Sequence, residues 1–230
     1  MNTCYNLVGD NMKTNEIFIS NDSIAIDLIR NSTYPYEVLG SIKDYIVKLG
    51  NTLGDDYIKM EDNIWIHKNA HVFESAYIMG PCIIDDGAEI RHSAFIRGGV
   101  IIGKNSVLGN SCEAKNAILF DNVQVPHFNY VGDSILGSHA HMGAGSITSN
   151  VKSDKKLVVI KSGDEVLETG IKKVGAFLGD NVEIGCNCVL NPGTFIGPNS
   201  RIYPLTSVRG VIKENSIVKS MNIIVEKEDM

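Results

Sequence analysis

An aliphatic residue recurs at every sixth position over a long central stretch of the chain. The series reads Ile66, Val72, Ile78, Ile84, Ile90, Ile96, Ile102, Leu108 and Ala114. A small residue usually follows four positions later, and turn-forming residues such as Gly98-Gly99 lie between the units. A short fixed period is typical of a solenoid, and neither a helix nor a single strand has this spacing. The pattern therefore predicts stacked units, each a short β-strand and a corner, with the aliphatic side chain pointing inward.

The series then continues with two changes of spacing. The next inward residues are Leu119, Val125, Val131, Leu136, Met142 and Thr148, and two of these units are one residue short. Since a change of register turns side chains in new directions, we expect outward-facing chemistry here. Residues 149–173 then lack the period, are rich in lysine and contain a hairpin-like segment around 157–167. Such an insertion at one corner of a solenoid usually lies on the binding side.

The two ends of the chain differ from the repeat. Residues 1–60 predict an N-terminal helical cap or linker region, with a short strand at 16–20 and helices at 24–30 and 35–49. The apolar stripe of the last helix is expected to cover the open first coil of the solenoid, or to dock a partner. Residues 61–210 form the solenoid with its inserted loop at 149–173, and residues 211–230 are expected to be a charged, frayed tail.

Composition narrows the class of protein. The chain has 230 residues, 43% of them hydrophobic, which suits one domain with an appendage. The net charge of −6, without a long basic run, argues against nucleic acid as a partner. No stretch approaches the roughly 20 apolar residues of a membrane span. The first ten residues do not resemble a signal peptide, so a cytoplasmic location is expected.

The cysteines fit a reducing compartment. Cys82, Cys112 and Cys188 occupy inward positions of the repeat, where they are expected to be core residues. Cys186 and Cys188 are separated by one residue, which is too close for a typical zinc pair.

Three segments carry a resemblance to a known family. They are Glu113 to Asn116, His127 to Asp133, and Met142 to Asn150. In order and spacing they resemble the acetyltransferase domain of the bifunctional N-acetylglucosamine-1-phosphate uridyltransferases. The insertion and the residues after it look closer to the β-helical half of bifunctional sugar-1-phosphate nucleotidylyltransferase/acetyltransferases. The resemblance covers about residues 61–210. It implies a mainly β fold, a left-handed parallel β-helix with a small α-helical N-terminal region, and a homotrimer with sites between subunits.

The resemblance also implies roles for individual residues. His127 matches the general base, and Arg97 and Lys115 match residues that bind the sugar phosphate. Tyr130 and Asn150 match residues that orient the sugar, while Ala144 and Cys186 match positions that contact acetyl-CoA. No metal is expected in the catalytic step. His141 and Val151 stand where the better-known family has an asparagine and a tyrosine, and these two departures leave the identity of the sugar open.

The chemistry of these residues suits the implied reaction. Acetyl transfer from a thioester to an amine needs a base, and imidazole, with an ordinary pKa near 6.5, is suited to that role. A guanidinium fork suits phosphate oxygens, and small residues permit close approach of the backbone to a cofactor. The predicted function is acetyl transfer from acetyl-CoA to an amino-sugar phosphate resembling glucosamine-1-phosphate, or to a nucleotide-sugar.

Two other functions stay open at this point. The chain could be a non-catalytic β-helical subunit that binds nucleotide-sugars or regulates a sugar-1-phosphate nucleotidyltransferase. It could also be a metalloenzyme similar to the gamma-class carbonic anhydrases, which needs three histidines converging between subunits, and the spacing here does not suggest them. His139 and His141, two apart on one expected strand, resemble a metal pair, but no third ligand is evident. Whether the acceptor is an amine or a hydroxyl also stays open. The first 60 residues contain neither a P-loop nor a glycine-rich nucleotidyltransferase signature.

Overall fold

The protein is a left-handed parallel β-helix of about eight coils, with three strands in each coil. The computed structural model describes residues 12–162, 165–220 and 223–226. The predicted fold class is therefore confirmed, since β-strands dominate and the helices are few and short. No helix among the described residues has the length and apolar character needed to cross a membrane.

The strands stack into three faces. Face 1 contains Ile64–His67, Cys82–Ile84, Val100–Ile102, the second half of Glu113–Leu119, the second half of Tyr130–Leu136, Ala176–Leu178, Thr194–Ile196 and Val211–Ile212. Face 2 contains His71–Val72, Glu89–Ile90, Val107–Asn110, Gln124–His127, His141–Met142, Glu183–Ile184, Arg201–Ile202 and Ser216–Ser220. Face 3 contains Tyr77–Met79, Phe95–Arg97, the first halves of Glu113–Leu119 and Tyr130–Leu136, then Ile147–Thr148, Val189–Leu190 and Ser207–Val208.

The register of the ladder confirms the two short units. Ile84 pairs with Ile102 eighteen residues later, whereas Ile102 pairs with Leu119 and Leu119 with Leu136, each seventeen residues later. The missing residue lies at the edge between face 3 and face 1, where Glu113–Leu119 and Tyr130–Leu136 run through as single strands. The inward aliphatic series stays in the core despite the change, since Leu119 and Leu136 are fully buried.

An antiparallel strand closes each end of the parallel ladder. Tyr57–Met60 pairs with Ile64–His67 at the first coil, and Ile223–Glu226 pairs with Ser216–Ser220 at the last. A free ladder edge invites pairing with another chain, so both additions protect the solenoid. Val211–Ile212 and Ser216–Ser220 continue the coils beyond residue 210, where the sequence predicted a tail.

The N-terminal region covers the outside of face 1. The middle residue of each short strand there points outward, yet it is fully buried under the N-terminal segment: Ile83, Ile101, Ile118, Ile135, Phe177 and Phe195. Phe18 stacks on Phe120 with ring centroids 5.0 Å apart. Farther along, the Ile19 and Ser20 amides donate to Asp180 Oδ2 at 2.8 and 2.7 Å. The region therefore forms a second layer with its own apolar interface.

The local predictions for residues 12–60 are only partly correct. The helix Ile26–Arg30 agrees with the sequence. The short strand predicted at 16–20 is wrong, because Thr14–Ile17 is a helix whose Glu16 carboxylate accepts the Lys13 amide. The longer helix is divided into a 3-10 turn, Pro35–Val38, and the α-helix Ile42–Gly50, with Leu39, Gly40 and Ser41 between them. A second 3-10 turn, Glu61–Asn63, precedes the first coil.

The sequence predicted that the last N-terminal helix covers the open first coil, but the α-helix Ile42–Gly50 does not. It packs on face 1 against Cys82–Ile84, Val100–Ile102 and Glu113–Leu119, along the flank of the solenoid. The physical reason is the apolar character of face 1, whose strands carry three consecutive apolar residues and so present one of them outward. The antiparallel strand Tyr57–Met60 closes the end instead.

The docking of this layer can be tested with Phe18→Leu. Because Phe18 is 6% exposed and stacks on Phe120, we expect a loss of about 1 kcal/mol in the free energy of unfolding. That corresponds to a fall of about 2–4 °C in Tm for a chain of this size. Phe128→Leu, at a side chain that is 62% exposed, is the matched control and should change Tm little. Equal effects of both substitutions would contradict the docked layer.

The inserted segment leaves the solenoid at Asn150 and rejoins it at Val174, where the Val174 amide donates to the Asn150 carbonyl at 3.0 Å. Within it, Val159–Ser162 and Glu165–Glu168 form the expected antiparallel hairpin. Val158 and Ile160 are buried against the later coil at Gly193, where an added Cβ would lie 2.9 Å from both side chains. The hairpin therefore folds back over the edge between face 3 and face 1.

Candidate active site

The residues singled out from the sequence lie on face 3 and on its two bordering edges. The edge between face 2 and face 3, here the His127 edge, contains His127, Ala144 and Cys186. The edge between face 3 and face 1, here the Asp133 edge, contains Asn116, Asp133 and Asn150.

Three predicted residues stack on the His127 edge. His127 pairs with Asn110 in the coil before, and the Gly145 amide donates to its carbonyl from the coil after. The register set by Gln124 and His141 places Ala144 over His127, and the next coil places Cys186 over Ala144. Neighbouring coils are about 4.8 Å apart. The structure thus brings the predicted base and the two predicted cofactor contacts into one column.

The backbone around His127 is held firmly while its side chain is exposed. His127 ends the strand Gln124–His127, and its amide donates to the Asn129 side-chain oxygen at 3.0 Å. Among the described residues, its imidazole has no polar partner. The ring is thus available to a substrate, and its removal should cost little packing.

Asn129 supports this corner from inside the solenoid. It is 3% exposed at one of the inward places that the repeat usually gives to a small residue. Its amide nitrogen donates to the carbonyls of Gly143 and Ser146 at 2.8 and 3.0 Å. These bonds tie the His127 corner to the Ala144 corner. On the other side, Gly143 permits the close approach of the Cys186 corner, because an added Cβ would lie 2.6 Å from the Cys186 nitrogen.

At the Asp133 edge, each of the two short units places one polar side chain at the corner of its coil. Earlier in the column the corner is made by Gly98-Gly99, with φ of 79° and 68°. Asn116 and Asp133 each turn the same corner with a single residue, at φ of 48° and 50°. Asparagine and aspartate tolerate this left-handed conformation better than most residues. The shortening therefore replaces a glycine corner by one that carries a polar side chain.

Asp133 joins most of the predicted sugar-binding residues. Its carboxylate is only 5% exposed and lies 3.3 Å from Lys115 Nζ through each oxygen. It also accepts Asn116 Nδ2 at 2.9 Å and Asn150 Nδ2 at 2.5 Å. Asn150 Nδ2 in turn donates to the Tyr130 hydroxyl at 3.1 Å. Lys115, Tyr130 and Asn150 thus form one network, with Asp133 at its centre.

The environment of this network keeps the Tyr130 phenol neutral at ordinary pH. Burial raises the pKa of Tyr130, and the negative charges of Asp133 and Glu113 raise it further. The hydrogen bond from Asn150 and the charge of Arg97 lower it by smaller amounts. A neutral phenol can donate a hydrogen bond to a sugar or phosphate oxygen.

Arg97 lies outside that network. Its guanidinium donates to Glu113 Oε1 at 2.6 Å, and this contact raises the pKa of Arg97. Both side chains are partly exposed on face 3, at 44% and 31%. Arg97 precedes Lys115 by one coil in the same outward column, since Phe95 pairs with Glu113. A phosphate bound between Arg97 and Lys115 would have to share the guanidinium with Glu113.

Comparisons with known proteins show the family to which this chain belongs. A family profile described as the GMPPB C-terminal domain matches residues 78–182. The bifunctional protein GlmU of Methanococcus maripaludis is 31% identical over 202 residues, covering 85% of this chain and 48% of that protein. A bifunctional sugar-1-phosphate nucleotidylyltransferase/acetyltransferase of Sulfurisphaera tokodaii is 33% identical over 156 residues, or 68% of this chain and 38% of that protein. The chain belongs to the hexapeptide-repeat acyltransferases.

The chain spans about half the length of the curated relatives it matches. Among solved structures, the polySia specific acetyltransferase NeuO superimposes with a TM-score of 0.47 at 12% identity, over 73% of this chain and 88% of that one.

The other histidines of this hexapeptide-repeat chain do not make the pair that the sequence suggested. His139 lies in a corner with φ of 60°, near Asn122, whereas His141 begins a strand of face 2 and contacts Glu183 Oε2 at 2.8 Å. The expectation that both share one strand is therefore wrong, because the corner falls between them. No group of three His, Cys, Asp or Glu side chains within the described ranges is arranged to hold a metal ion.

The four cysteines in the described part of the chain divide into two classes, and Cys4 lies outside the described residues. Cys82, Cys112 and Cys188 are buried in the core, as predicted, and Cys186 is exposed on the His127 edge. Burial raises the pKa of Cys82 to about 12 and raises those of Cys112 and Cys188 as well. These three thiols are therefore poor nucleophiles at neutral pH.

Sequence reasoning missed Asp133 and Asn116 as members of the site. Both were visible in the motif segments, but no role was assigned to them. The signal that could have identified them is their position: each occupies the corner of a unit that is one residue short. A polar residue at a shortened corner must adopt an unusual backbone conformation, which points its side chain away from the ordinary repeat.

Proposed function

We propose that this protein is an acyl-CoA-dependent N-acetyltransferase whose acceptor is an amino sugar linked to phosphate. One observation supports this function above the others. The exposed imidazole of His127 stacks with Ala144 and Cys186 on one edge of face 3, and the Lys115, Asp133, Tyr130 and Asn150 network borders the same face. A base, a cofactor column and a polar sugar site are thus within one or two coils of each other.

The reaction follows from this placement. The acceptor amine, neutral and held near Tyr130, attacks the thioester carbonyl of acetyl-CoA lying along the His127 edge. His127 accepts the amine proton as the C–N bond forms. The C–S bond then breaks, and the coenzyme A thiolate leaves and takes up a proton. The products are the N-acetylated sugar and free coenzyme A.

We further propose a homotrimer. The first coils expose apolar side chains on neighbouring strands of faces 2 and 3, with Phe73 at 40%, Tyr77 at 65% and Met79 at 44%. An exposed apolar patch of this kind is typical of an interface. Face 1 is already covered by the N-terminal layer, so faces 2 and 3 remain for contact with other copies. Light scattering at micromolar concentration measures the assembly, and a monomer would contradict it.

The function is tested by incubating the protein with acetyl-CoA and either glucosamine-1-phosphate or a UDP-linked glucosamine. Mass spectrometry of the sugar and release of coenzyme A thiol should both report transfer, with a reaction lacking acceptor as control. If no acceptor gains an acetyl group although UDP-sugars bind, the non-catalytic nucleotide-sugar-binding subunit is the better description. If a hydroxyl of the sugar is acetylated in place of the amine, the proposed acceptor group is wrong and the rest of the proposed reaction stands.

The exposed thiol of Cys186 reports on the cofactor column. We expect iodoacetamide to alkylate Cys186 in the native protein much faster than Cys82, Cys112 or Cys188, because those three are buried. Acetyl-CoA should slow the labelling of Cys186 if it lies along the His127 edge. Peptide mass spectrometry measures each site, and alkylation under denaturing conditions is the control for intrinsic reactivity. Labelling of Cys186 at an unchanged rate with saturating acetyl-CoA would remove it from the cofactor site.

A further inference from the structure

A large cavity lies between the inserted hairpin and the last coils of face 3. Its volume is about 850 Å³, which is within the usual range for small-molecule sites. The hairpin side is formed by residues of the segment 149–161, and the solenoid side by residues 191–193 and 209–211. None of the residues proposed to act in acetyl transfer lines it. We call it the hairpin cavity.

The charged residues that line the hairpin cavity are mostly cationic. Lys152, Lys161 and Arg209 contribute three positive charges, and Asp154 contributes the single carboxylate, which lies 3.4 Å from Lys152. The whole chain has a net charge of −6, so this concentration of positive charge runs against the overall composition. Two ammonium groups and a guanidinium lining one half-open cavity favour an anion with several oxygens.

Both walls of the cavity are anchored. On the hairpin side, Val158 and Ile160 are buried, which fixes the strand that carries Lys161. On the solenoid side, the Arg209 guanidinium donates to the Asn191 side-chain oxygen at 3.3 Å. At Gly210, φ is 76° and an added Cβ would lie 2.8 Å from the Lys161 carbonyl, so the two walls meet closely there. The cavity is therefore a built feature of the fold.

The hairpin cavity continues the column of outward residues that passes the sugar site. In the register of face 3, Arg97 and Lys115 are followed by Gly132, Ser149, Asn191 and Arg209. Ser149, Asn191 and Arg209 line the cavity. Gly132 precedes Asp133 and lies against the Tyr130 ring, which an added Cβ would meet. From Gly132 to Asn191 is two coils, or about 10 Å. That distance is comparable to the separation of a sugar ring from the nucleoside across a diphosphate.

We propose that the hairpin cavity binds the diphosphate and nucleoside of a nucleotide-linked amino sugar, whose sugar ring lies at Tyr130 and Asn150. This inference rests on the proposed function and makes it more specific, since the acceptor is then a nucleotide-sugar and not a sugar 1-phosphate. Lys161 and Arg209 bind the diphosphate from opposite walls. Val151, which stands in the lining and is 37% exposed, offers an apolar contact to the nucleoside.

Coenzyme A also carries phosphates, and the position of the cavity distinguishes it from the acceptor. The proposed cofactor column of Ala144 and Cys186 lies on the His127 edge, whereas the inserted segment leaves and rejoins the solenoid at the Asp133 edge. The cavity is thus continuous with the sugar network through Asn150 and Ser149. We assign it to the acceptor for this reason, and the experiment below separates the two ligands.

Isothermal titration calorimetry with UDP, GDP and dTDP tests the site. At least one of the three should bind the wild type, and Lys161→Gln and Arg209→Gln should each raise its Kd about tenfold or more, since each removes a charged partner of phosphate. Arg201→Gln, at an exposed arginine of face 2, is the matched control and should leave the Kd unchanged. Failure of all three nucleotides to bind, or unchanged binding in both cavity variants, would overturn the assignment.

Kinetics and a second titration separate this inference from the proposed function. Arg209→Gln should lower kcat/KM for UDP-linked glucosamine and spare that for glucosamine-1-phosphate. If the wild type acetylates glucosamine-1-phosphate just as well and Arg209→Gln affects neither acceptor, the function stands and the cavity assignment is overturned. If no acceptor is acetylated but the cavity variants lose nucleotide binding, the assignment stands without the reaction. A further outcome is that the cavity variants bind coenzyme A more weakly than the wild type does while binding dephospho-coenzyme A and the nucleotides equally well. That result would assign the cavity to the cofactor and overturn the proposal.

Discussion

His127→Ala is expected to lower kcat by about 10²–10⁴, the usual contribution of a general base, without unfolding the protein. The imidazole is exposed, and the backbone bonds from His127 to Asn129 and from Gly145 to His127 do not involve the ring. The melting temperature should therefore stay within a few degrees of the wild type. Stopped assays of acetyl transfer and thermal unfolding measure the two quantities on the same preparation.

A second histidine variant tests whether the loss of turnover is specific to His127. His139→Ala is a matched control, because His139 is also an exposed corner histidine but lies near Asn122, away from the His127 edge. Near-wild-type turnover in His127→Ala, on an acceptor verified by mass spectrometry, would refute the assignment and make His139 and His141 the next candidates.

Asp133→Ala should damage both stability and acceptor binding. The substitution leaves the Lys115 ammonium and the Asn116 and Asn150 amides without their shared acceptor in a largely buried place. We expect a loss of about 3 kcal/mol in the free energy of unfolding, the scale for removing one partner of a charged, buried hydrogen-bonded group. The KM for the acceptor should rise about tenfold or more, because Lys115 and Asn150 lose their orientation.

Two further variants identify the cause of that damage. Asp133→Asn keeps one oxygen acceptor and nearly the same shape, so it should be milder than Asp133→Ala in both measurements. Asp55→Ala removes an exposed carboxylate of a loop and should change neither. Chemical denaturation and steady-state kinetics measure the two effects. If Asp133→Ala lowers stability and leaves the KM of the acceptor unchanged, Asp133 is a structural residue of the corner and not a positioning residue of the site.

Members of the candidate site could be proposed residue by residue only where a motif was available. His127, Lys115, Tyr130 and Asn150 were proposed from the order and spacing of their segments, and they lie on and beside face 3 in the structure. Asp133, whose network includes Lys115, Tyr130 and Asn150, was not proposed. Its role depends on a corner at which the side chain contacts residues of the coils before and after it, and no motif shows those contacts. Arg97 was identified, yet its pairing with Glu113 depends on the cross-coil register, which the motif does not show.

The hexad period determined the solenoid by itself. Every unit places an aliphatic residue in the core, so each coil packs on the next in the same way. The pattern can therefore be recognised in the sequence without knowledge of contacts between distant residues. The two shortened units were visible for the same reason, as a break in a local rule. Even the hairpin in the insertion could be recognised from two apolar runs and a turn.

Only the tertiary structure decided what lies against the outside of the coils. The N-terminal helices dock on face 1 because Ile83, Ile101 and Phe195 form an apolar surface there, which appears only after the coils have stacked. The hairpin cavity likewise depends on two segments far apart in sequence, Lys161 on the insertion and Arg209 on the last coils. A repeat specifies contacts between its own neighbours, whereas the packing of an appendage depends on the shape and charge that those neighbours present together.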